Sequence, residues 1–219
     1  VLGITIERIA YKPLRGASSL AVLITAIGVS YFLQNMALIV FGADTKSFNS
    51  IVKFGPFHLG GLVISGETLV TIVSCIIIMI ILTTFINKTK AGQAMLAVSE
   101  DKGAAVLMGI NVNQTIALTF AIGSGLAAIA GALLCSAYPT LSPYTGSMPG
   151  IKAFTAAVFG GIGSIPGAFV GGILLGVIEI FGKAYISSQL SDAIVFAVLI
   201  IVLIVKPSGI LGKNRQEKV

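Results

Sequence analysis

Charged residues and several side chains that commonly build active sites are scarce in this sequence. It has no tryptophan and a single histidine, His58, and Asp, Glu, Lys and Arg together make up 10% of its 219 residues. A soluble domain carries about 25% charged residues, so a water-soluble globular fold is excluded. One histidine cannot form a metal site alone. No basic run with interleaved aromatic residues is present, which excludes nucleic-acid binding.

Cysteine is also scarce, with only Cys75 and Cys135, and both fall inside apolar segments. A thiol in that setting is most simply small apolar filler. What the chain has in abundance is apolar side chains, at 56%, with a mean hydropathy of +1.02. These values predict a polytopic membrane protein without cofactor or metal.

Long uncharged runs predict the membrane spans. A helix needs about 20 apolar residues to cross about 30 Å of hydrocarbon. The runs of suitable composition are Leu20–Gly42, Thr68–Ile86, about Asn113–Ala137, and Ser191–Val205.

The stretch between residues 152 and 190 is interrupted. Ala153–Phe159 is too short to span, Gly160–Gly163 breaks the helix, and Pro166 is suited to begin a new one that continues over Ala168–Phe181. Broken helices at membrane depth are tolerated where protein or a water-filled cavity lines them. The sequence leaves open whether this stretch is re-entrant or crosses twice.

Basic residues predict the orientation. Ten of the fourteen Lys and Arg residues fall before Leu20, within 87–112, or after Val205, and these segments therefore belong to the cytoplasm. The segment Tyr138–Gly150 then forms an external loop. An external hairpin is predicted over Phe48–His58, with its turn at Gly55–Pro56.

The first residues, VLGITIERIAYKPLRG, are apolar and then basic. A signal peptide has the opposite order. We expect these residues to be the last turns of a helix that emerges into the cytoplasm. The sequence would then be a single transmembrane domain over 1–219 that is truncated at its N-terminus.

Glycines in GGIGSIPGAFVGGILLG, from residue 160 to 176, do not form a phosphate-binding loop, because no lysine follows them. Small residues four apart line one helix face and permit close packing of helices. Gly163, Gly167 and Gly171 predict one such face, and Gly123, Ala127 and Gly131 predict a second. We expect these two faces to pack together, with or without a role in transport.

Three polar residues fall inside apolar runs. Gln34 and Asn35 lie near the middle of the first span, where an amide must find a partner. They either bond another helix or line the transport path. Glu179 is a functional candidate because it is an acid within the membrane. Lys183 follows it by four residues, which also predicts a structural ion pair near the outer surface.

Three stretches occur in order along the chain: SEDKGAAVLMGINVNQTIALTFAIGSGLAAIAGALL, GIKAFTAAVFGGIGSIPGAFVGGILLG and VLIVKPSGILG. Together with ERIAYKPLRG and ITAIGVSYFLQN they resemble the LivH-type permease subunits of ATP-binding cassette (ABC) importers for branched-chain amino acids. The resemblance implies an all-α polytopic transmembrane bundle in a bacterial or archaeal cytoplasmic membrane. It also implies a second permease subunit, two cytoplasmic ATPases that hydrolyse ATP, and an external substrate-binding protein as partners.

The resemblance further implies a coupling helix for the ATPase in the cytoplasmic loop at about 87–112. Related importers carry Glu-Ala-Ala and then Gly in this loop. Here Gly103 stands at the glutamate position, so Glu100 and Asp101 are the substitute polar residues, followed by Ala104, Ala105 and Gly109. The run SEDK predicts a helix that begins with Ser99 as its N-cap.

Other functions remain open at this point. The solute could be urea, a short amide or a sugar instead of leucine, isoleucine or valine. An ion-coupled secondary transporter usually shows several intramembrane acids, of which this chain has one. An intramembrane protease would need a base beside Ser124, and no histidine falls in a span.

Overall fold

The computed structural model describes residues 1–49, 55, 57–59, 62–206 and 208–212. Most of these residues are helical, which confirms the all-α prediction. The helices are α1 (Leu2–Ile6), α2 (Ser19–Phe41), α3 (Gly66–Lys88), α4 (Lys90–Glu100), α5 (Lys102–Leu107), α6 (Val112–Ala137), α7 (Ser147–Gly160), α8 (Ile165–Tyr185) and α9 (Ser191–Val205). A π-helical turn, Glu7–Tyr11, and a 3-10 turn, Lys12–Leu14, follow α1.

Four helices in the described residues are long and apolar enough to cross a membrane. They are α2, α3, α6 and α8, and α9 is a shorter apolar helix of 15 residues. Each predicted span coincides with a helix to within about two residues. Polar side chains cap the N-termini of several of these helices. At α6 the Asn111 side-chain oxygen accepts a hydrogen bond from Gln114 N at 3.2 Å, and at α8 Ser164 Oγ accepts one from Gly167 N at 3.1 Å. Such caps satisfy backbone donors that have no partner within the helix.

The chain forms two compact units, Val1–Ile78 with Thr84–Thr145, and Met79–Thr83 with Gly146–Val219. In the first, α1 packs against α6, and α4 packs against both α5 and α6. Two small antiparallel ribbons belong to this unit. They pair β1 (Lys46–Ser47) with β4 (Thr140–Leu141), and β2 (Phe57–Leu59) with β3 (Leu62–Ile64).

The observed ribbon β2–β3 differs from the predicted hairpin over Phe48–His58. Most of that prediction, including Pro56 of its turn, lies outside the described residues. The segment Tyr138–Gly150 contains β4 and then the start of α7.

The second unit is built from α7, α8 and α9, whose core contains Phe159, Leu175 and Val195. The predicted break between α7 and α8 is present. Gly161 and Gly163 have φ of +113° and +89°, values that side-chain-bearing residues rarely adopt. Helix α8 then begins at Ile165 with Pro166 in its first turn, as predicted. Gly163 therefore lies in the turn, and its predicted place on the helix face was wrong.

The end of the chain packs onto this turn. Ile210 N donates to the Phe159 carbonyl and Leu211 N to the Gly160 carbonyl, both at 2.9 Å. These bonds satisfy carbonyls at the C-terminal end of α7 that the helix leaves unpaired. The break in the helix is therefore fixed by backbone contacts from residues 208–212.

Candidate coupling site and transport elements

The segment between α3 and α6 forms two short helices, α4 and α5. Thr89 Oγ1 accepts a hydrogen bond from Gly92 N at 3.1 Å and thereby begins α4. Gly92 packs so closely against Phe85 and Ile86 that a Cβ atom there would collide with their backbone. The first turn of α4 is consequently fixed against the last turn of α3.

The turn between α4 and α5 is made by an aspartate. Asp101 Oδ1 accepts hydrogen bonds from Gly103 N at 2.7 Å and Ala104 N at 3.0 Å, so Asp101 is the N-cap of α5. The prediction that Ser99 begins this helix was wrong. Ser99 Oγ donates to the Leu96 carbonyl at 2.8 Å within the last turn of α4. Ser and Asp are both common N-cap residues, but an N-cap needs an extended backbone. Asp101 has that backbone, whereas Ser99 lies inside α4.

The predicted coupling residues divide by exposure. Ala105 of α5 is buried, whereas Glu100, Asp101, Ala104 and Gly109 are exposed. Gly109 has φ of +80° and turns the chain from α5 towards α6. Its position suits glycine because the left-handed conformation costs other residues more.

Three consecutive apolar side chains stand exposed where α5 ends. The exposed fractions are 60% for Val106, 89% for Leu107 and 81% for Met108. We call Val106–Met108 the apolar tip. An apolar surface presented in this way between two helices of membrane-spanning length is typical of a protein contact. Sequence reasoning missed it, although three apolar residues before a glycine in a polar loop were a visible signal.

The polar residues of α2 bond to their own helix. Asn35 Nδ2 donates to the Tyr31 carbonyl at 2.7 Å, and Gln34 Nε2 contacts Ser30 Oγ at 3.4 Å. Neither amide reaches another helix among the residues that the structure describes. A role in the path for Gln34 and Asn35 stays a prediction.

The glycine face of α8 packs against α7. A Cβ atom at Gly167 would lie 2.6 Å from the Gly160 carbonyl oxygen, and one at Gly171 would lie 2.5 Å from the Ala156 carbonyl oxygen. The predicted partner, α6, was therefore wrong, since α7 occupies this face. At Gly123 and Gly131 of α6 an added Cβ meets nothing within 4 Å among the described residues.

Charged residues join the other end of α7, α8 and α9. Lys152 Nζ lies 2.9 Å from Glu179 Oε1 and 2.7 Å from Asp192 Oδ1. Lys183 also pairs with Glu179, which confirms the ion pair predicted from their spacing of four residues. Sequence reasoning missed Lys152 because it is 27 residues from Glu179, beyond any helical spacing. This charge cluster ties together the ends of three helices.

We expect the two lysines of the cluster to contribute unequally. Lys152→Met leaves Lys183 as the partner of Glu179 and removes the described partner of Asp192. The free energy of unfolding should therefore fall by about 1–3 kcal/mol. Lys183 is 49% exposed, and Lys183→Met should cost less than about 1 kcal/mol. Thermal unfolding of both variants in detergent tests this order. Equal losses would contradict the bridging role of Lys152.

Comparison with known proteins gives a consistent result. The family model described as "Branched-chain amino acid transport system / permease component" matches residues 1–203. The chain is 46% identical over 221 residues to the high-affinity branched-chain amino acid transport system permease protein BraD of Pseudomonas aeruginosa, covering 99% of this chain and 72% of that protein. It is 45% identical over 222 residues to LivH of Escherichia coli K12, with the same coverage.

A more distant relative is a probable branched-chain amino acid transport permease protein LivH of Methanocaldococcus jannaschii. It is 29% identical over 97% of this chain and 71% of its own length. No solved structure matches the chain at a significant level. The match over 203 residues and the identities near one half, together with the membrane-length helices, show that the chain belongs to the branched-chain amino acid transport permease family.

Proposed function

We propose that this chain is the membrane-spanning subunit of an ATP-driven importer for leucine, isoleucine and valine. Its partners would be a second permease subunit, two cytoplasmic ATP-binding subunits and an extracytoplasmic substrate-binding protein. The chain itself would hydrolyse no ATP. Its expected location is the cytoplasmic (inner) membrane of a bacterium or archaeon. The names of the relatives support branched-chain amino acids as the solute over urea, a short amide or a sugar.

The observation that carries the proposal is the apolar tip on a fixed cytoplasmic segment. Helices α4 and α5 are held against α6, while Val106–Met108 project from the surface. A segment that is rigid at its base and apolar at its end can transmit a push from a partner to a membrane helix. Glu100 and Ala104, which are exposed beside the tip, would complete the contact with the ATP-binding subunit. Asp101, Ala105 and Gly109 would hold its shape.

Alternating access supplies the transport step of this proposal. ATP binding would bring the two ATP-binding subunits together, and the coupling segment would pass their movement to α6. The α7–α8 pair, joined by backbone contacts at Gly160, Gly167 and Gly171, would move as a rigid unit. Gln34, Asn35 and Glu179 are the polar side chains offered to the path.

The arrangement of the second unit supports a direction for the helices of residues 147–185, of which α8 is long enough to cross the membrane and α7, with 14 residues, is shorter than a full span. The turn after α7 lies beside residues 208–212, just beyond the end of α9. The opposite ends of the three helices meet at the charge cluster. Because Lys206 belongs to the predicted cytoplasmic side, α7 would run inward, α8 outward and α9 inward.

Uptake of radiolabelled leucine tests the proposed function. Proteoliposomes would contain the full complex. ATP would be enclosed inside, on the side of the ATP-binding subunits, and the substrate-binding protein would be added outside or left out. We expect uptake that requires both ATP and the binding protein. Urea or a sugar moved under the same conditions would change the substrate, and uptake without ATP would contradict the importer proposal.

A further inference from the structure

A basic cavity of about 250 Å³ lies in the first unit, between residues 7–15 and the first turns of α6. Its polar lining consists of Glu7, Arg8, Lys12, Arg15, Asn113 and Gln114. None of these residues belongs to the coupling segment α4–α5 or to the charge cluster. The cavity therefore needs an explanation of its own.

The charges in the cavity do not balance. Glu7 is 1% exposed, and its carboxylate pairs with Arg15. The Arg15 guanidinium also donates to Asn113 Oδ1 at the start of α6. The charge of Arg15 is thus compensated, and its terminal nitrogens are occupied.

Arg8 and Lys12 are the cations that remain. They are four residues apart on consecutive helical turns, both are exposed, and neither forms an ion pair with a residue that the structure describes. Three basic residues and one acid leave the cavity with a net charge of +2. An arginine beside a lysine, with the Gln114 amide nearby, suits an anion that has several oxygen atoms, such as a phosphate group.

The position of the cavity favours a lipid head group as the source of that phosphate. Helix α6 begins at Val112 and is long enough to cross the membrane, so its first turn lies at the edge of the bilayer. The distribution of basic residues assigns this edge to the cytoplasmic leaflet. Basic pockets beside helices on that side bind the head groups of anionic lipids.

Apolar surface for acyl chains lies on the same helical segment. Leu2 and Ile9 are 61% and 72% exposed. A free phosphate ion would gain nothing from that surface, whereas a phospholipid would cover it. We propose that the cavity binds the phosphate head group of an anionic phospholipid of the cytoplasmic leaflet, with Arg8 and Lys12 as the binding cations and Arg15 as the residue that positions the cavity wall. The inference rests on the predicted orientation and is independent of the transported solute.

Lipid retention by the purified complex tests this proposal. The complex would be placed in nanodiscs of phosphatidylcholine containing spin-labelled phosphatidylglycerol, and the bound fraction measured. Each basic residue near a membrane surface contributes about fivefold to anionic-lipid binding, so Arg8→Gln with Lys12→Gln should weaken retention by about 30-fold. The matched control is Lys88→Gln, which removes one exposed basic residue outside both the cavity and the coupling segment α4–α5. Because Lys88 does not line the cavity, this change should reduce retention by clearly less than Lys12→Gln alone.

Further measurements keep the sources of phosphate apart. We expect millimolar inorganic phosphate to leave retention unchanged, and displacement of the lipid by it would assign the cavity to a free anion and contradict the proposal. Equal lipid retention by the cavity variant and the control would also contradict the proposal. So would a cavity variant that retains the lipid but loses the ATP-binding subunits. Should the double variant fail to fold, Lys12→Gln alone, an exposed change in a turn, should reduce retention by about fivefold.

Discussion

Replacing Leu107 with aspartate should weaken binding of the ATP-binding subunits by about 30-fold and reduce ATP-dependent leucine uptake accordingly. Leu107 is the most exposed residue of the apolar tip, at 89%. A hot-spot side chain at the centre of an interface contributes about 2 kcal/mol or more, and a carboxylate in its place must also be desolvated. Co-purification of the ATP-binding subunits with the permease measures the effect directly.

A second exposed apolar residue provides the control for this experiment. Val63 of β3 is 64% exposed and lies outside the coupling segment. Val63→Asp adds the same charge and should leave the ATP-binding subunits attached. If both variants retain those subunits equally, the tip is not their docking site. If both lose them, the added charge acts through folding and the contact must be sought elsewhere.

The fold of the coupling segment α4–α5 favours the apolar tip over its polar neighbours as the contact with the ATP-binding subunits. Asp101 uses one carboxylate oxygen to hold two backbone donors of α5, and Ala105 is buried. These two residues therefore shape the segment. The residues left to meet a partner are those that project, and Val106, Leu107 and Met108 are three consecutive apolar residues among them. The resemblance to importers with a glutamate in this loop instead predicted a polar contact through Glu100 and Asp101.

Local patterns predicted the elements, and contacts distant in sequence were not predicted. Apolar runs gave the spans because hydrocarbon requires them, and Pro166 after four residues rich in glycine predicted the restart of α8. The pair Glu179–Lys183 followed from helical spacing alone. Lys152, in contrast, meets Glu179 only because α7 folds back onto α8, and Glu7 meets Arg15 through two unusual turns. No period in the sequence encodes either contact.

The partner of a small-residue face was also beyond sequence reasoning. Glycines spaced by four show that another backbone comes close, and they carry no information about which one. The Gly160–Gly163 break lets α7 double back onto α8, so the nearest helix in the chain takes the face. The prediction that α6 would take it ignored how short the connection between α7 and α8 is.

This close contact predicts opposite signs for the same substitution on one helix. Gly171→Ala places a methyl group against the Ala156 carbonyl oxygen and the backbone of Gly160. Because those are backbone atoms, α7 and α8 must separate, at a cost of about 1–3 kcal/mol. Gly176→Ala meets nothing within 4 Å among the described residues. It should stabilise α8 by up to about 1 kcal/mol, the difference in helix propensity between the two residues.

The unfolding midpoints of the purified complex should therefore move apart. For a chain of this length each kcal/mol shifts the midpoint by about 2–4 °C, so Gly171→Ala should lie several degrees below the unmodified protein and Gly176→Ala at or above it. Gly172→Ala is an intermediate case, since its Cβ would lie 3.9 Å from Ala156 Cβ, an ordinary contact. A midpoint for Gly171→Ala equal to that of Gly176→Ala would show that α7 and α8 are not held at backbone distance. The rigid movement of this pair, on which the proposed transport cycle depends, would then lose its structural basis.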